Sequence, residues 1–211
     1  MFLFDNAISM PARIVGMIEA DVPIVHLDRT IFHPTTGSQR ADRGCIGSAQ
    51  VLAVAFDGGE ISHYVNSSNG LEVGAEITLQ LDQDWRHLQS AYHSAGHLIA
   101  SAMRQIDQRC TVLFGQHYPD QAALTLHSAN QIKEGHIKEL NDLLQHFIEQ
   151  NLIVDIGLES GTRYVRFGGL EAIPCNGTHV DTTGELEKID VIRHEYDGER
   201  LRLYYVTYNR T

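Results

Sequence analysis

The fold is decided by residues 85–105, WRHLQSAYHSAGHLIASAMRQ, which combine a helical pattern with the histidine pair His93 and His97. The stretch has no proline, and its apolar side chains recur at spacings of three and four residues, which predicts an amphipathic α-helix. Those apolar side chains are Leu88, Tyr92, Leu98, Ile99 and Met103. His93 and His97 stand one helical turn apart, so both imidazoles lie on one face and can reach the same metal ion.

A second stretch, residues 174–180, PCNGTHV, offers a thiol at Cys175 and an imidazole at His179. Its proline, asparagine and glycine predict a tight turn and not a helix. Together with the helix it completes a set of three histidines and one cysteine, which suits one Zn²⁺ ion per chain. The predicted metal ligands are therefore His93, His97, Cys175 and His179.

Each half of this set is weak evidence alone, because two histidines four residues apart on a helix are more often surface or hydrogen-bonded side chains. The two halves together are stronger evidence, since four ligands must converge and four are present. Ser94 follows the first histidine, where the motif of zinc proteases has glutamate. The stretch is therefore not the H-E-x-x-H motif of a zinc protease, and it contains no general base.

The composition is that of an acidic globular protein. The chain has 211 residues and a formal net charge of −11, from 27 acidic and 16 basic residues. This balance excludes a broad basic surface, so we expect no DNA partner and only local contacts with RNA. No apolar run approaches the ~18 residues of a membrane span, and the N-terminus lacks a signal peptide, so we expect a cytoplasmic protein without a membrane partner. The 3 irregularly spaced cysteines also favour a reducing compartment.

Residues 1–84 are predicted to form a small β-barrel-like domain. Short apolar segments of strand length are separated by turn signals such as Asp57-Gly58-Gly59, a pattern typical of small barrels. The predicted strands lie at residues 12–18, 23–27, 49–56, 61–65 and 76–81. The polar loop over residues 28–44, taken by itself, is an ordinary solvated hairpin loop.

Residues 85–211 are predicted to form a zinc-binding α+β domain in which helices pack on a mostly antiparallel sheet. A second helix is predicted over residues 129–151, with Ser128 and Gln131 as its capping box. The predicted strands of this domain lie at residues 110–114, 122–126, 153–157, 163–167, 190–196 and 200–208.

With these elements in order, the chain resembles the free-standing alanyl-tRNA editing proteins of AlaX type, relatives of the editing domain of alanyl-tRNA synthetase and, more distantly, of threonyl-tRNA synthetase. The resemblance rests on LDRTIFHP at residues 27–34, GSQRADRG at 37–44, HSAGHL at 93–98, CNGTHV at 175–180 and TGEL at 183–186. These stretches follow the family's order and extend over nearly the whole chain. The family usually has tyrosine where this chain has His33, more glycine across residues 35–38, and glycine or alanine where this chain has Asn176.

The resemblance implies a hydrolase that deacylates mischarged tRNA(Ala) at a zinc-containing site, with seryl-tRNA(Ala) as the main substrate and glycyl-tRNA(Ala) as a second candidate. A pocket for serine cannot exclude the smaller alanine by size, so it must hydrogen-bond the serine hydroxyl; such a site rejects the analogue that lacks the hydroxyl by roughly 10⁴-fold. The family match makes Thr30 and Gln39 the candidate substrate-binding residues. The candidate cations for the tRNA acceptor end are Arg40, Arg43, Arg163 and Arg166.

Two other functions fit the same residues. The first is a zinc hydrolase of the same fold that acts on another aminoacyl-tRNA or on a small ester. The second is a non-catalytic binding module that zinc stabilises, which predicts a closed shell of four ligands and unfolding on chelation.

Overall fold

The protein is represented by a computed structural model that describes residues 7–128 and 134–210. The described residues form two compact units. The first contains the residues up to Thr36 together with Arg40–Arg86, and the second contains Gly37–Gln39 and the residues from His87 onward. The chain therefore enters the second unit for three residues before it returns to the first.

The first unit is a closed barrel of six strands, so the predicted small barrel is confirmed. Around the barrel the strands follow the order β1-β2-β5-β4-β3-β6, and every pairing is antiparallel. Their bounds are β1 Ser9–Ile18, β2 Ile24–Leu27, β3 Gly44–Ile46, β4 Ala49–Asp57, β5 Glu60–Val65 and β6 Glu76–Leu81. Buried aliphatic side chains, among them Ile14, Val25 and Leu79, fill its core.

Two local features of this barrel depend on glycine: the turn between β4 and β5, and the close pairing of β3 with β6. The β4–β5 hairpin turns at Gly58 and Gly59, whose φ angles of 58° and 92° are easily adopted by glycine and suit a tight two-residue turn. Strand β3 has only 3 residues, too few for an alternating pattern, and the sequence does not predict it. It pairs with β6 so closely that a Cβ on Gly44 would lie 2.0 Å from the Gln80 carbonyl oxygen.

The second unit is an α+β assembly with two helices, as predicted. Helix α1 spans Gln83–Ile106, with its residues from His87 onward in this unit, and α2 spans Glu134–Glu149. One antiparallel sheet has the order β11-β10-β9 and a second has the order β12-β13-β8-β7. Their bounds are β7 Thr111–Gln116, β8 Ala123–His127, β9 Val154–Glu159, β10 Thr162–Phe167, β11 Ile173–Pro174, β12 Leu186–Tyr196 and β13 Arg200–Asn209.

The core of this unit lies where both helices meet the sheets. Leu98 of α1, Leu144 of α2 and Leu203 of β13 each have 0% exposure and belong to one apolar cluster. Helix α2 packs against β12, and the Asn141 side-chain oxygen accepts a hydrogen bond from the Val191 backbone N–H at 3.0 Å. This packing leaves one face of α1, the face with His93 and His97, for the turn that follows β11.

The second helix is described over Glu134–Glu149 and ends earlier than the predicted residue 151. Residues 129–133 of the predicted range 129–151 lie outside the described residues. The predicted capping partner Gln131 lies outside the described residues. Ser128 itself is buried, and its hydroxyl accepts a hydrogen bond from the Cys110 thiol at 3.7 Å. Among residues 7–128 and 134–210, no helix has both the length and the apolarity that a bilayer crossing needs.

Candidate metal centre

Four side chains of the second unit converge as the sequence spacing requires. Helix α1 presents His93 and His97, and the turn after β11 presents Cys175 and His179; one ligand atom from each lies within 4.8 Å of all the others. The Cys175 Sγ is 3.3 Å from the Nε2 atom of both His93 and His97. Bonds to zinc of about 2.0–2.3 Å place tetrahedral ligands within 4 Å of one another. The cluster is therefore close to the geometry that one ion needs, and its three imidazoles and one thiol suit zinc.

The buried amide of Gln39 fixes the orientation of His93. Its Oε1 accepts a hydrogen bond from the backbone N–H of Thr178 at 2.9 Å and lies 2.7 Å from His93 Nδ1. A backbone N–H can only donate, so the amide oxygen is the atom on this side. His93 Nδ1 must then carry the proton, and its Nε2, the atom beside the Cys175 sulfur, is the nitrogen whose lone pair could bind a metal ion.

The same amide connects the turn to the helix. Gln39 Nε2 donates to Thr178 Oγ1 at 2.9 Å, and the Ser90 hydroxyl lies 2.8 Å from that oxygen. Gln39 is 0% exposed. A Cβ on Gly177 would lie 1.9 Å from a carbon of the His93 ring and 2.8 Å from Gln39 Oε1, so only glycine fits at this position.

Ser94 supports the fourth ligand. Its Oγ lies 3.4 Å from His179 Nδ1 and accepts a hydrogen bond from the Val180 backbone N–H at 3.2 Å. The residue at the position of the protease glutamate therefore orients a ligand here. Its hydroxyl helps direct the other ring nitrogen of His179, Nε2, towards the cluster.

Arg163 is buried, with 6% exposure, so its prediction as a surface cation for tRNA is wrong. Its Nη1 donates to the Cys175 carbonyl oxygen at 2.6 Å, and its own carbonyl accepts from the Cys175 N–H at 3.0 Å. Burial raises the pKa of the Cys175 thiol, whereas the Gly177 N–H and the Arg163 charge oppose that shift. The guanidinium thus holds the turn and favours the thiolate, the form that binds metals.

A fourth histidine, His117, lies beside the three histidines of the cluster, and no sequence pattern predicts it. Its ring centroid lies 4.7 Å from that of His93, and its Nδ1 is 2.6 Å from the Tyr205 hydroxyl. That hydroxyl donates its one proton to the Tyr92 carbonyl at 3.0 Å, so His117 Nδ1 must donate to Tyr205. A Cβ on Gly96 would lie 2.2 Å from the His117 ring, which therefore needs glycine between the two helical ligands.

Burial keeps two imidazoles of this region neutral. It lowers the pKa of His97 to about 4 and that of His117 to about 3. The neutral imidazole is the form that binds a metal, so the fold favours the metal-binding state of His97 at neutral pH.

Thr30 lies in the barrel unit, with 5% exposure. Its hydroxyl is 2.8 Å from His63 Nε2, and the other nitrogen of that ring is 3.0 Å from the Val25 carbonyl oxygen. A carbonyl can only accept, so the neutral His63 carries its proton on Nδ1 and Thr30 donates to Nε2. The Thr30 oxygen also accepts a hydrogen bond from the Phe32 backbone N–H at 3.1 Å. Gln39 and the four predicted ligands all lie in the second unit.

Sequence comparisons find relatives over most of the chain, although no family model matches it. The chain is 29% identical over 194 residues to the alanyl-tRNA editing protein AlaX-M of Pyrococcus horikoshii, which covers 84% of this chain and 85% of that protein. It is 27% identical over 219 residues to the AlaX-M protein of Methanosarcina barkeri, with 89% of each chain covered.

A third relative is much longer. The alanine–tRNA ligase of Methanopyrus kandleri is 28% identical over 228 residues, which cover 94% of this chain and 25% of the ligase. The chain thus spans about a quarter of this ligase but most of the two AlaX-M proteins. In both length and sequence, the chain matches the AlaX-type alanyl-tRNA editing proteins, as its motifs predict.

Proposed function

We propose that this chain is an aminoacyl-tRNA deacylase that edits in trans: it hydrolyses the ester that joins a wrong amino acid to the acceptor end of tRNA(Ala). Seryl-tRNA(Ala) is the main proposed substrate and glycyl-tRNA(Ala) the second. The observation that carries the proposal is the convergence of His93, His97, Cys175 and His179 in a chain whose relatives are named alanyl-tRNA editing proteins. The proposed cofactor is one Zn²⁺ ion per chain, held by these four side chains.

Zinc, when bound, supplies Lewis acidity that can polarise an ester carbonyl or lower the pKa of a water molecule. The protein's part is to fix the ligands. Gln39 holds the tautomer of His93, Ser94 supports His179, and Arg163 holds the carbonyl of Cys175. Outer hydrogen bonds of this kind set ligand orientation and basicity.

Four protein donors would close a tetrahedral shell, whereas catalytic zinc usually keeps one position open. We propose an open site in which one donor is weak or displaced when the substrate binds. His97 and Cys175 are the two partly exposed members of the set, and His93 and His179 are buried. A substrate would therefore approach from the side of His97 and Cys175, where the set is only partly covered.

Thr30 and Gln39 are our proposed substrate-binding residues. The Thr30 hydroxyl donates its proton to His63. Towards a substrate the Thr30 oxygen can therefore act only as an acceptor, which suits the proton of a serine hydroxyl. The Gln39 amide already bonds His93 and Thr178. We propose that it acts on the substrate chiefly through the ring of His93.

The test is release of labelled amino acid from seryl-, glycyl-, threonyl- and correctly charged alanyl-tRNA(Ala), with and without a zinc chelator. The proposal expects fast release of serine, slower release of glycine, retention of alanine, and loss of release on chelation. If zinc-loaded protein releases no serine, the proposed function is wrong. Release from another aminoacyl-tRNA or a small ester alone would favour the broader zinc hydrolase.

The open site has its own test. Cys175→Ala and His179→Ala variants are each assayed for bound zinc and for deacylation. Full zinc occupancy together with full activity in both variants would rule out the proposed site. Unfolding on chelation, without deacylation in the wild type, would favour a zinc-stabilised binding module.

A further inference from the structure

An apolar strip lies exposed on strand β7. It consists of Val112, Leu113 and Phe114, whose exposures are 44%, 52% and 52%. Strand β7 is an edge of the four-stranded sheet, with β8 as its only neighbour in the described sheet order. Adjacent apolar side chains exposed on an edge strand are unusual, because such edges invite association. The strip is therefore a candidate binding surface.

Phe114 is the last residue of the strip, and its ring lies against Gly37. Its ring Cε2 is 3.7 Å from the position of a Cβ on Gly37. Gly37 stands two residues before Gln39 in the chain, and the Gln39 amide oxygen is 2.7 Å from His93 Nδ1. Two residues span at most about 7 Å of backbone, so one short segment joins the exposed aromatic ring to a residue that orients a ligand.

The position of this segment against β7 is fixed by a hydrogen bond. The His117 backbone N–H, just beyond the end of β7, donates to the Ser38 carbonyl oxygen at 2.9 Å. Gly37 itself has no side chain to cover the aromatic ring. Phe114 thus has a stable position beside the site and a ring that remains half exposed.

The chemistry of the proposed substrate indicates which of its groups would contact the Phe114 ring. The ester to be cleaved lies on the last ribose of a single-stranded RNA end, and a base is attached to that same ribose. A chain with a net charge of −11 gains little from general attraction to phosphates. Single-stranded RNA is commonly held by stacking of its bases on aromatic side chains, which does not need a basic surface.

We propose that Phe114 is a stacking platform for a base at the 3′ end of the aminoacyl-tRNA. This inference rests on the proposed function for its substrate class, but it concerns a contact that the ligand set does not include. Leu113, its neighbour on the strand, has the same exposure and offers no aromatic face. The two side chains form a matched pair for a test.

The experiment measures binding, not catalysis. Uncharged tRNA(Ala) acceptor minihelices, either intact or trimmed of their single-stranded 3′ nucleotides, are titrated with wild-type protein, Phe114→Ala, Phe114→Trp and Leu113→Ala at one salt concentration. The wild type is expected to prefer the intact end. Phe114→Ala should lose this preference, with binding of the intact minihelix weakened by roughly 5- to 100-fold, as expected for one lost stacking contact. Phe114→Trp and Leu113→Ala should keep it.

Two results would overturn the proposal: equal affinity of the wild type for intact and trimmed minihelices, or a preference that survives in Phe114→Ala. A self-associating wild type that both alanine variants convert to a monomer would also overturn it, because the strip would then bind a second copy of the chain. The result of the deacylation assay does not depend on the result of this binding experiment. A protein that releases no serine but needs Phe114 to recognise the intact end would refute the proposed function and retain the stacking site.

Discussion

The tautomer of His93 should depend on a single amide, that of Gln39. In Gln39→Met the side chain keeps its approximate volume but loses the oxygen that lies 2.7 Å from His93 Nδ1 and 2.9 Å from the Thr178 N–H. The imidazole can then move its proton to Nε2, the nitrogen that lies beside the Cys175 sulfur and that the proposed zinc ion would use. Loss of such an outer hydrogen bond typically weakens metal binding by about 10- to 100-fold, or roughly 1.4–2.7 kcal/mol.

The assay is competition for Zn²⁺ with a chromogenic chelator at neutral pH. Gln39→Glu is the matched control, because a carboxylate still accepts from both N–H groups and loses only the 2.9 Å bond donated to Thr178 Oγ1. We expect Gln39→Glu to bind zinc within a few-fold of the wild type and Gln39→Met to bind far more weakly. Equal zinc affinity of Gln39→Met and wild type, with both proteins folded, would refute the proposed control of His93 by this amide.

Three further predictions concern other positions. Gly177→Ala should lower zinc affinity by more than 10-fold, because its Cβ would lie 1.9 Å from the His93 ring and loss of a contact that orients a ligand alone costs about that much. Gly135→Ala is the control, because a Cβ at that position meets nothing within 4 Å. Gln89 is fully buried, and neither of its amide atoms hydrogen-bonds to any group in the described residues. Gln89→Met should therefore raise the free energy of unfolding, measured in urea, by about 1–3 kcal/mol. A decrease in that free energy would contradict this prediction. Burial lowers the pKa of His63 from 6.5 to about 4, so folding favours the neutral imidazole. The stability that depends on this neutral form is fully present above pH 6.5 and is lost as the pH falls towards 4. In urea titrations, His63→Gln should lose about 2 kcal/mol less stability than wild type between pH 7 and 5, and parallel losses would contradict the assignment.

The parts of the site that the sequence predicted are those with a local pattern. Helix α1 has a clear apolar periodicity, and Asp82 accepts a hydrogen bond from the Trp85 N–H at 3.0 Å to begin it. Because helical geometry places residues i and i+4 together, His93 and His97 could be paired from spacing alone. The turn with Cys175 was predicted from residues that disfavour a helix, and no regular helix forms there.

The parts that were missed depend on contacts between distant segments. His117 and Tyr205 are 88 residues apart and carry no spacing that marks them as partners. Arg163 is a charged residue in a strand, and its buried position and its hydrogen bond to the Cys175 carbonyl follow no local pattern. Nothing in the sequence around Gln39 indicates that residues 37–39 belong to the second unit. Such features are determined by the tertiary fold, which periodicity and spacing do not specify.

The proposed deacylation requires one zinc ion held by His93, His97, Cys175 and His179. The most direct test is a titration of metal-depleted protein with Zn²⁺ while serine release from seryl-tRNA(Ala) is measured. Activity should be absent at the start, rise in proportion to added zinc and reach a plateau at one ion per chain. Serine release that is already complete without zinc, or that stays absent after one equivalent has bound, would contradict the claim.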